Sequence, residues 1–210
     1  EKEASGELRR LMTQAVRRRM ISDVPLGLFL SGGIDSSIVC GLMAGISDKP
    51  VETFSIGFKE ASFDETSYAR CVAQAFATHH HERILYASEC ADILPDVVSR
   101  MDVPMADASV APTWLLSKVT REKVTVALGG DGSDELWAGY EHYIGFALAQ
   151  KYRSLPRFLR KGILEPLCRR LPASHGYINL NLAAHNFLCA AAQPAWLRIQ
   201  AMLTAFTPEM

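Results

Sequence analysis

The chain has no C-x-x-C pair and no apolar run of membrane-span length. Its five cysteines, Cys40, Cys71, Cys90, Cys168 and Cys189, are odd in number and widely spaced. That pattern argues against a disulfide scaffold, and it points to reduced core thiols in a cytoplasmic protein. No signal-peptide pattern opens the chain, and no internal repeat or low-complexity segment interrupts it. An excess of either charge is also missing: Lys plus Arg is 22 and Asp plus Glu is 23, a net charge of −1. Binding to nucleic acid or to an anionic membrane through net charge is therefore not expected.

What is present describes a globular protein. Hydrophobic residues make up 49% and charged residues 21% of 210 positions, enough to bury one core without disulfides. The near-neutral total hides a segregation. Residues 1–20 are net basic, residues 21–150 carry eight bases against eighteen acids, and residues 151–210 carry eight bases against two acids. The chain begins at Glu1 and ends at Met210 after a Thr-Pro, as expected of a piece of something longer.

Hydrophobic periodicity organises the first two thirds. Leu8, Leu11, Met12, Ala15, Val16 and Met20 recur at helical spacing, with Arg9, Arg10, Arg17, Arg18 and Arg19 on a solvated face. Short apolar runs at 26–30, 51–57, 83–86 and 124–128 predict buried strands. Helical patterns fall at 34–45, 65–77, from a Ser88 cap to about Arg100, and at 111–121. Strand–helix alternation with apolar strands predicts an α/β fold with a parallel sheet covered on both faces. Beyond Gly139 the strand signal stops, and Pro156, Pro166, Pro172 and Pro194 divide short helical stretches. The expected organisation is a helix over 1–20, an α/β domain over 21–140 and a helical, truncated extension over 141–210.

The strongest local signal is Ser31-Gly32-Gly33-Ile34-Asp35-Ser36-Ser37, set between a strand and a helix. Open α/β sheets bind ligands at the carboxyl ends of their strands. Two glycines permit close approach of backbone to an anion, and the helix start offers free amides and a positive dipole end. The Walker lysine is absent, and so is the G-x-G-x-x-G turn. Asp35 stands there instead. A carboxylate beside a phosphate site makes sense with a metal cation between them, so the residues suggest Mg²⁺–pyrophosphate recognition. This loop resembles the PP-loop of the N-type ATP pyrophosphatases, which cleave ATP between the α and β phosphates.

A second cluster follows the fourth strand: Gly129-Gly130-Asp131-Gly132-Ser133-Asp134-Glu135-Leu136-Trp137-Ala138-Gly139-Tyr140. At a strand's carboxyl end, its Asp134 could join Asp35 on one Mg²⁺. This stretch resembles the second signature of asparagine synthetase B-type (glutamine-hydrolysing) synthetase domains. Thr53 to Phe58, Phe63-Asp64-Glu65 with Tyr68-Ala69, His79 to Glu82, Asp102 to Asp107 and Pro112 to Ser117 also resemble that family. The similarity runs over roughly residues 15–145. The three consecutive histidines point to alternating sides of an extended run and are not read as a metal site.

The resemblance implies an adenine nucleotide alpha hydrolase-like (HUP/PP-loop) three-layer sandwich with a helical C-terminal extension. It implies that Ser31, Gly32, Gly33, Asp35, Ser36 and Ser37 bind pyrophosphate and Mg²⁺, that Asp134 shares the metal, and that Phe29, Ile56 and Gly130 line the adenosine. Asp131 stands where asparagine synthetases proper usually have glutamate, which helps ammonia attack the acyl-adenylate. The implied reaction takes ATP, aspartate and ammonia to asparagine, AMP and pyrophosphate. Readings that use another carboxylate, or that bind nucleotide without turnover, stay open. The glutaminase domain with its N-terminal cysteine is not in the chain, so it is an expected partner from the parent protein. The family's V-P-F-L-D-like acceptor segment and phosphate-stabilising lysine are not found, and Lys151 and Lys161 are not in a clear register for the latter. A homodimer is left open.

Overall fold

The computed structural model describes residues 2–103, 105, 107–172 and 180–203. Pro104 and Ala106, from one of the family-like stretches, lie outside the described residues. The chain divides into two compact units, Glu1–Asp131 and Gly132–Met210.

The first unit alternates helix and strand: α1 (Lys2–Arg19), β1 (Leu26–Phe29), α2 (Ile34–Ile46), β2 (Glu52–Phe58), α3 (Thr66–Ala75), β3 (His79–Leu85), α4 (Ala87–Ser99), α5 (Val110–Arg121) and β4 (Val126–Leu128). The strands form one sheet in the order β3-β2-β1-β4, with every pairing parallel. Side chains alternate across each strand, so β1 serves two layers. Leu28 and Leu30 enter a core with Val16, Cys40, Met43, Ala69 and Ala73, which belong to α1, α2 and α3. Burial pushes the Cys40 thiol up to about 11, so it is an inert core group. On the opposite face Phe29 and Ala127 line a cavity of about 550 Å³ with residues of α4 and α5, including Trp114. Helices on both faces of a parallel sheet make the three layers that the apolar strands predict.

β3 is longer than its apolar residues suggest. The sequence predicts a strand only from Arg83, whereas the ladder begins at His79 and pairs all seven residues of β2. The polar start is satisfied side by side. The imidazole of His80 meets the hydroxyls of Thr53 at 3.0 Å and Ser55 at 3.2 Å. His79 and His81 meet the two carboxylate oxygens of Glu52 at 3.1 and 2.6 Å, and His81 also stacks on Phe54. Helix α4 likewise starts before the expected Ser88 cap. Tyr86 is its N-cap, and the Tyr86 amide donates to Glu89 Oε2 at 3.1 Å.

The second unit has helices and no strand among its described residues. It comprises α6 (Ser133–Trp137), α7 (Glu141–Ser154), α8 (Arg157–Leu159), a π-turn (Arg160–Leu164), α9 (Glu165–Arg169), α10 (Leu180–Ala192), a 3₁₀ turn (Ala195–Leu197) and α11 (Arg198–Leu203). Pro156 and Pro194 stand at N-caps, where a missing amide costs nothing. The basic residues of this end are partly internal. Arg153 donates to the carbonyls of Ala191 at 3.1 Å and Gln193 at 3.0 Å, and the buried Arg198 donates to Gln193 at 3.2 Å. Both cations therefore sit at the negative end of α10.

Burial pushes the His80 imidazole below its ordinary range, with Glu82 opposing. A folded pKa below the unfolded value of about 6.5 means that, as pH falls through that value, the folded state takes up fewer protons than the unfolded state. Stability is thus complete above that value and declines below it. Urea unfolding should show a lower midpoint at about pH 5.5 than at about pH 7.5, and the difference should shrink in His80→Gln.

Candidate functional site

Leu30 donates to the carbonyl of Phe54 at 2.8 Å, the last rung before the chain leaves the sheet at Ser31. Gly32 then turns with φ +86°. A Cβ there would lie 2.5 Å from the Ala69 amide nitrogen and the Tyr68 carbonyl carbon, so the loop rests directly on the backbone of α3. Gly33 is the N-cap of α2. Hydroxyls stitch the turn together: Ser31 Oγ lies 3.0 Å from Ser36 Oγ and accepts from the Gly33 amide at 3.2 Å. Ser37 Oγ donates to the Gly33 carbonyl at 2.6 Å. Ser36 is buried, and the Ser37 amide makes the first intrahelical bond at 3.0 Å. The preceding amides, at Ile34, Asp35 and Ser36, have no intrahelical acceptor by the geometry of a helix start.

The loop after β4 approaches this helix start. β1 and β4 run side by side with Leu28 opposite Leu128, so Ser31 and Gly129 leave the sheet at the same end. A Cβ on Gly130 would lie 3.0 Å from the Ser36 amide nitrogen and 3.1 Å from Asp35 Cβ. Only a residue without a side chain fits there without displacing the start of α2. Asp131 is exposed, and its carboxylate lies against Gly129. Phe29 and Ile56 share a sheet face, because Phe29 pairs with Phe54, two residues before Ile56. The first unit therefore gathers Ser31, Gly32, Gly33, Asp35, Ser36, Ser37 and Gly130 at one point, with Phe29 and Ile56 on the adjoining strands. Asp35 makes no hydrogen bond or ion pair with the described residues.

Asp134 belongs to the second unit. It sits in α6, between Gly132 at φ +88° and Ala138 at φ +55°, and its carbonyl accepts from the Gly139 amide at 3.0 Å. Its neighbour Glu135 accepts from the Tyr140 hydroxyl at 2.7 Å. That bond holds the Glu135 carboxyl below its ordinary range and pushes Tyr140 up to about 12. Glu135 is thus committed locally, while Asp134 has no ion pair among the described residues. No three His, Cys, Asp or Glu side chains among the described residues gather to hold a metal. Mg²⁺ needs none: it is commonly bound by one or two carboxylates, substrate phosphates and water. No helix among the described residues is long and apolar enough to cross a membrane.

One supporting group is absent from the sequence-based site. Asp64 and Thr66 tie α3 to the sheet directly behind Gly32. The available signal was an Asp-x-Thr turn ahead of a helix, a common local motif that does not itself report what the helix braces.

The asparagine synthase family model matches residues 7–206. A Methanocaldococcus jannaschii protein provisionally named asparagine synthetase (glutamine-hydrolyzing) 2 is 38% identical over 196 residues, covering 92% of this chain and 37% of its own length. Asparagine synthetase (glutamine-hydrolyzing) 1 of Bacillus subtilis is 35% identical over 159 residues, covering 76% of this chain and 25% of its own length. The chain thus spans well under half of either relative. Among solved structures, the NH3-dependent NAD synthetase of Campylobacter jejuni aligns over 98% of both chains at 18% identity and a TM-score of 0.44.

Gly32→Ala should lose about 1–3 kcal/mol, because the residue must hold a left-handed conformation against the α3 backbone. Urea unfolding midpoints of wild type and variant measure this loss.

Proposed function

The chain belongs to the asparagine synthase family, and on that premise we propose that it is the ATP-using synthetase part of a glutamine-hydrolysing amidotransferase. The observation that supports this most directly is the junction of the Ser31 loop, the free amides at the start of α2 and the side-chain-free backbone of Gly130. These groups make a cradle of hydrogen-bond donors with a carboxylate at its rim, which fits a metal-bound pyrophosphate. Ser31, Gly32, Gly33, Ser36 and Ser37 are assigned to the pyrophosphate, and Phe29, Ile56 and Gly130 to the adenosine. Asp35 is assigned to Mg²⁺, and Asp134 to the same ion on the strength of the family resemblance. Mg²⁺ would neutralise phosphate charge.

In the proposed reaction a side-chain carboxylate of aspartate attacks the α-phosphorus of ATP. An O–P bond forms, the α–β bridging P–O bond breaks, and pyrophosphate leaves. Ammonia, supplied by a glutaminase domain, then attacks the acyl carbon and loses a proton as AMP departs. The protein's part is to hold the leaving pyrophosphate in donors already oriented for it, so that little reorganisation is needed as charge shifts. Asp131 is assigned to the acceptor step on the strength of the family resemblance. Its shorter reach than glutamate favours a second reading, in which another carboxylate takes the place of aspartate. Five free cysteines support a reducing, cytoplasmic setting.

ATP–pyrophosphate exchange on the full-length protein tests the reading. Exchange stimulated by aspartate supports asparagine formation. Exchange stimulated only by another acid retains the chemistry and overturns the substrate. Removing Mg²⁺ should abolish nucleotide binding, because the region carrying both loops is strongly acidic and neither loop contains a lysine or arginine. Calorimetry should show Asp35→Ala weakening Mg-ATP at least about tenfold; unchanged binding would remove Asp35 from the metal site.

A further inference from the structure

Behind the phosphate loop lies a chain of polar contacts that the reaction itself does not use. Asp64 Oδ1 accepts from two amides, those of Phe58 and Thr66, each at 3.3 Å. Its Oδ2 accepts from Thr66 Oγ1 at 3.0 Å. Phe58 ends β2 and Thr66 begins α3, so one carboxylate joins the end of a strand to the start of a helix. One turn further along, Arg70 donates to Thr66 Oγ1 at 3.1 Å and forks onto both oxygens of Glu82 in β3, each at 2.8 Å. The first turns of α3 are thereby tied to two strands. Gly57 leaves room for this junction: a Cβ there would collide with the Thr66 methyl and lie 2.9 Å from Asp64 Oδ1.

The same stretch of α3 forms the wall behind Gly32. The wall consists of the carbonyl carbon and Cβ of Tyr68 and the Ala69 amide nitrogen, two and three residues after Thr66, and Ala69 is fully buried. A glycine held at φ +86° against such a wall takes its position from it. The position of α3 therefore sets where the Ser31 loop presents its amides. Asp64 is suited to hold it at neutral pH. Burial would raise its carboxyl, but hydrogen bonds from Thr66 and Phe58 and the nearby Arg70 charge outweigh burial and hold it below the ordinary range.

We infer that Asp64, acting through Thr66 and α3, is a positioning residue that fixes the Ser31 loop for pyrophosphate recognition. The inference rests on the nucleotide reading of that loop. It assigns Asp64 no contact with substrate. Its effect falls on the pyrophosphate and not on the rest of the nucleotide.

Calorimetry on the full-length protein with Mg-pyrophosphate, and separately with AMP, tests this. Asp64→Ala should weaken Mg-pyrophosphate about tenfold while changing AMP by less than about twofold, since it removes hydrogen bonds to a charged group. Asp64→Asn should fall between, because its amide oxygen can still accept from Phe58 and Thr66. Thr66→Val should follow Asp64→Ala, and Asp64→Asn and Thr66→Val carry the test if the alanine variant does not fold. Folded variants with wild-type Mg-pyrophosphate affinity would overturn the inference. Equal losses for both ligands would also overturn it, by showing a general structural role. If wild type binds AMP but no Mg-pyrophosphate, the loop reading itself falls and this inference with it. Loss confined to the variants isolates the brace.

Discussion

Everything proposed for this protein depends on the unpaired amides at the start of α2. A helix start leaves N–H groups that its own backbone cannot satisfy. Here the strand feeding that helix is internal to a parallel sheet, between β2 and β4. The exposed donors therefore appear at the carboxyl end of the sheet, beside the loop that follows β4. Gly32, turning left-handed over α3, and Gly130, crossing close to Ser36, both keep side chains away from the donors. The serine hydroxyls of the loop bond mostly to one another and to Gly33, which stiffens the turn without capping the helix.

That arrangement resolves an electrostatic difficulty. A polyanionic ligand would be repelled by a region with eighteen acids and eight bases. Without a lysine in either loop, attraction falls to backbone dipoles and a divalent cation. The dipole of one helix end contributes only about 0.3–1 kcal/mol at an exposed site. On the proposed nucleotide reading, several oriented donors acting together, with a metal between carboxylate and phosphate, would be needed for useful affinity. Such donors are effective only if their backbone is held in place, and this gives the Asp64–Thr66–Arg70–Glu82 brace its significance. The basic residues of the last segment serve another purpose in part, since Arg153 and Arg198 neutralise the end of α10.

The sheet was legible in the sequence wherever its strands are apolar. Leu26–Phe29 and Glu52–Phe58 lie within a residue of the expected runs, because strands covered on both faces are rich in apolar residues, here Leu26, Leu28 and Phe29 in one and Phe54, Ile56 and Phe58 in the other. β3 was only half legible. His79, His80 and His81 look like a polar linker, and only their cross-strand partners Glu52, Thr53 and Ser55 make them strand. The loop from Ser31 to Ser37 was legible as a tight turn between strand and helix because its signals are local: paired glycines and a helix start. Asp64 appeared only as part of a family-like stretch. The role inferred for it depends on Gly32 resting on the backbone of Tyr68 and Ala69, and spacing does not encode that contact.

By itself, the sequence determined most elements of the first unit, the parallel α/β class and the two loops that carry the candidate chemistry. These follow from periodicity, glycine placement and charge, which act over a few residues. Tertiary structure alone decided that Gly130 lies against the start of α2, that the wall behind Gly32 is the backbone of α3, and that Asp64 anchors this wall to β2. The first two are contacts between residues far apart along the chain, and the third matters only because of the second. Such contacts are fixed by the order of strands in the sheet and by close packing of helices on its faces, and these are properties of the whole fold.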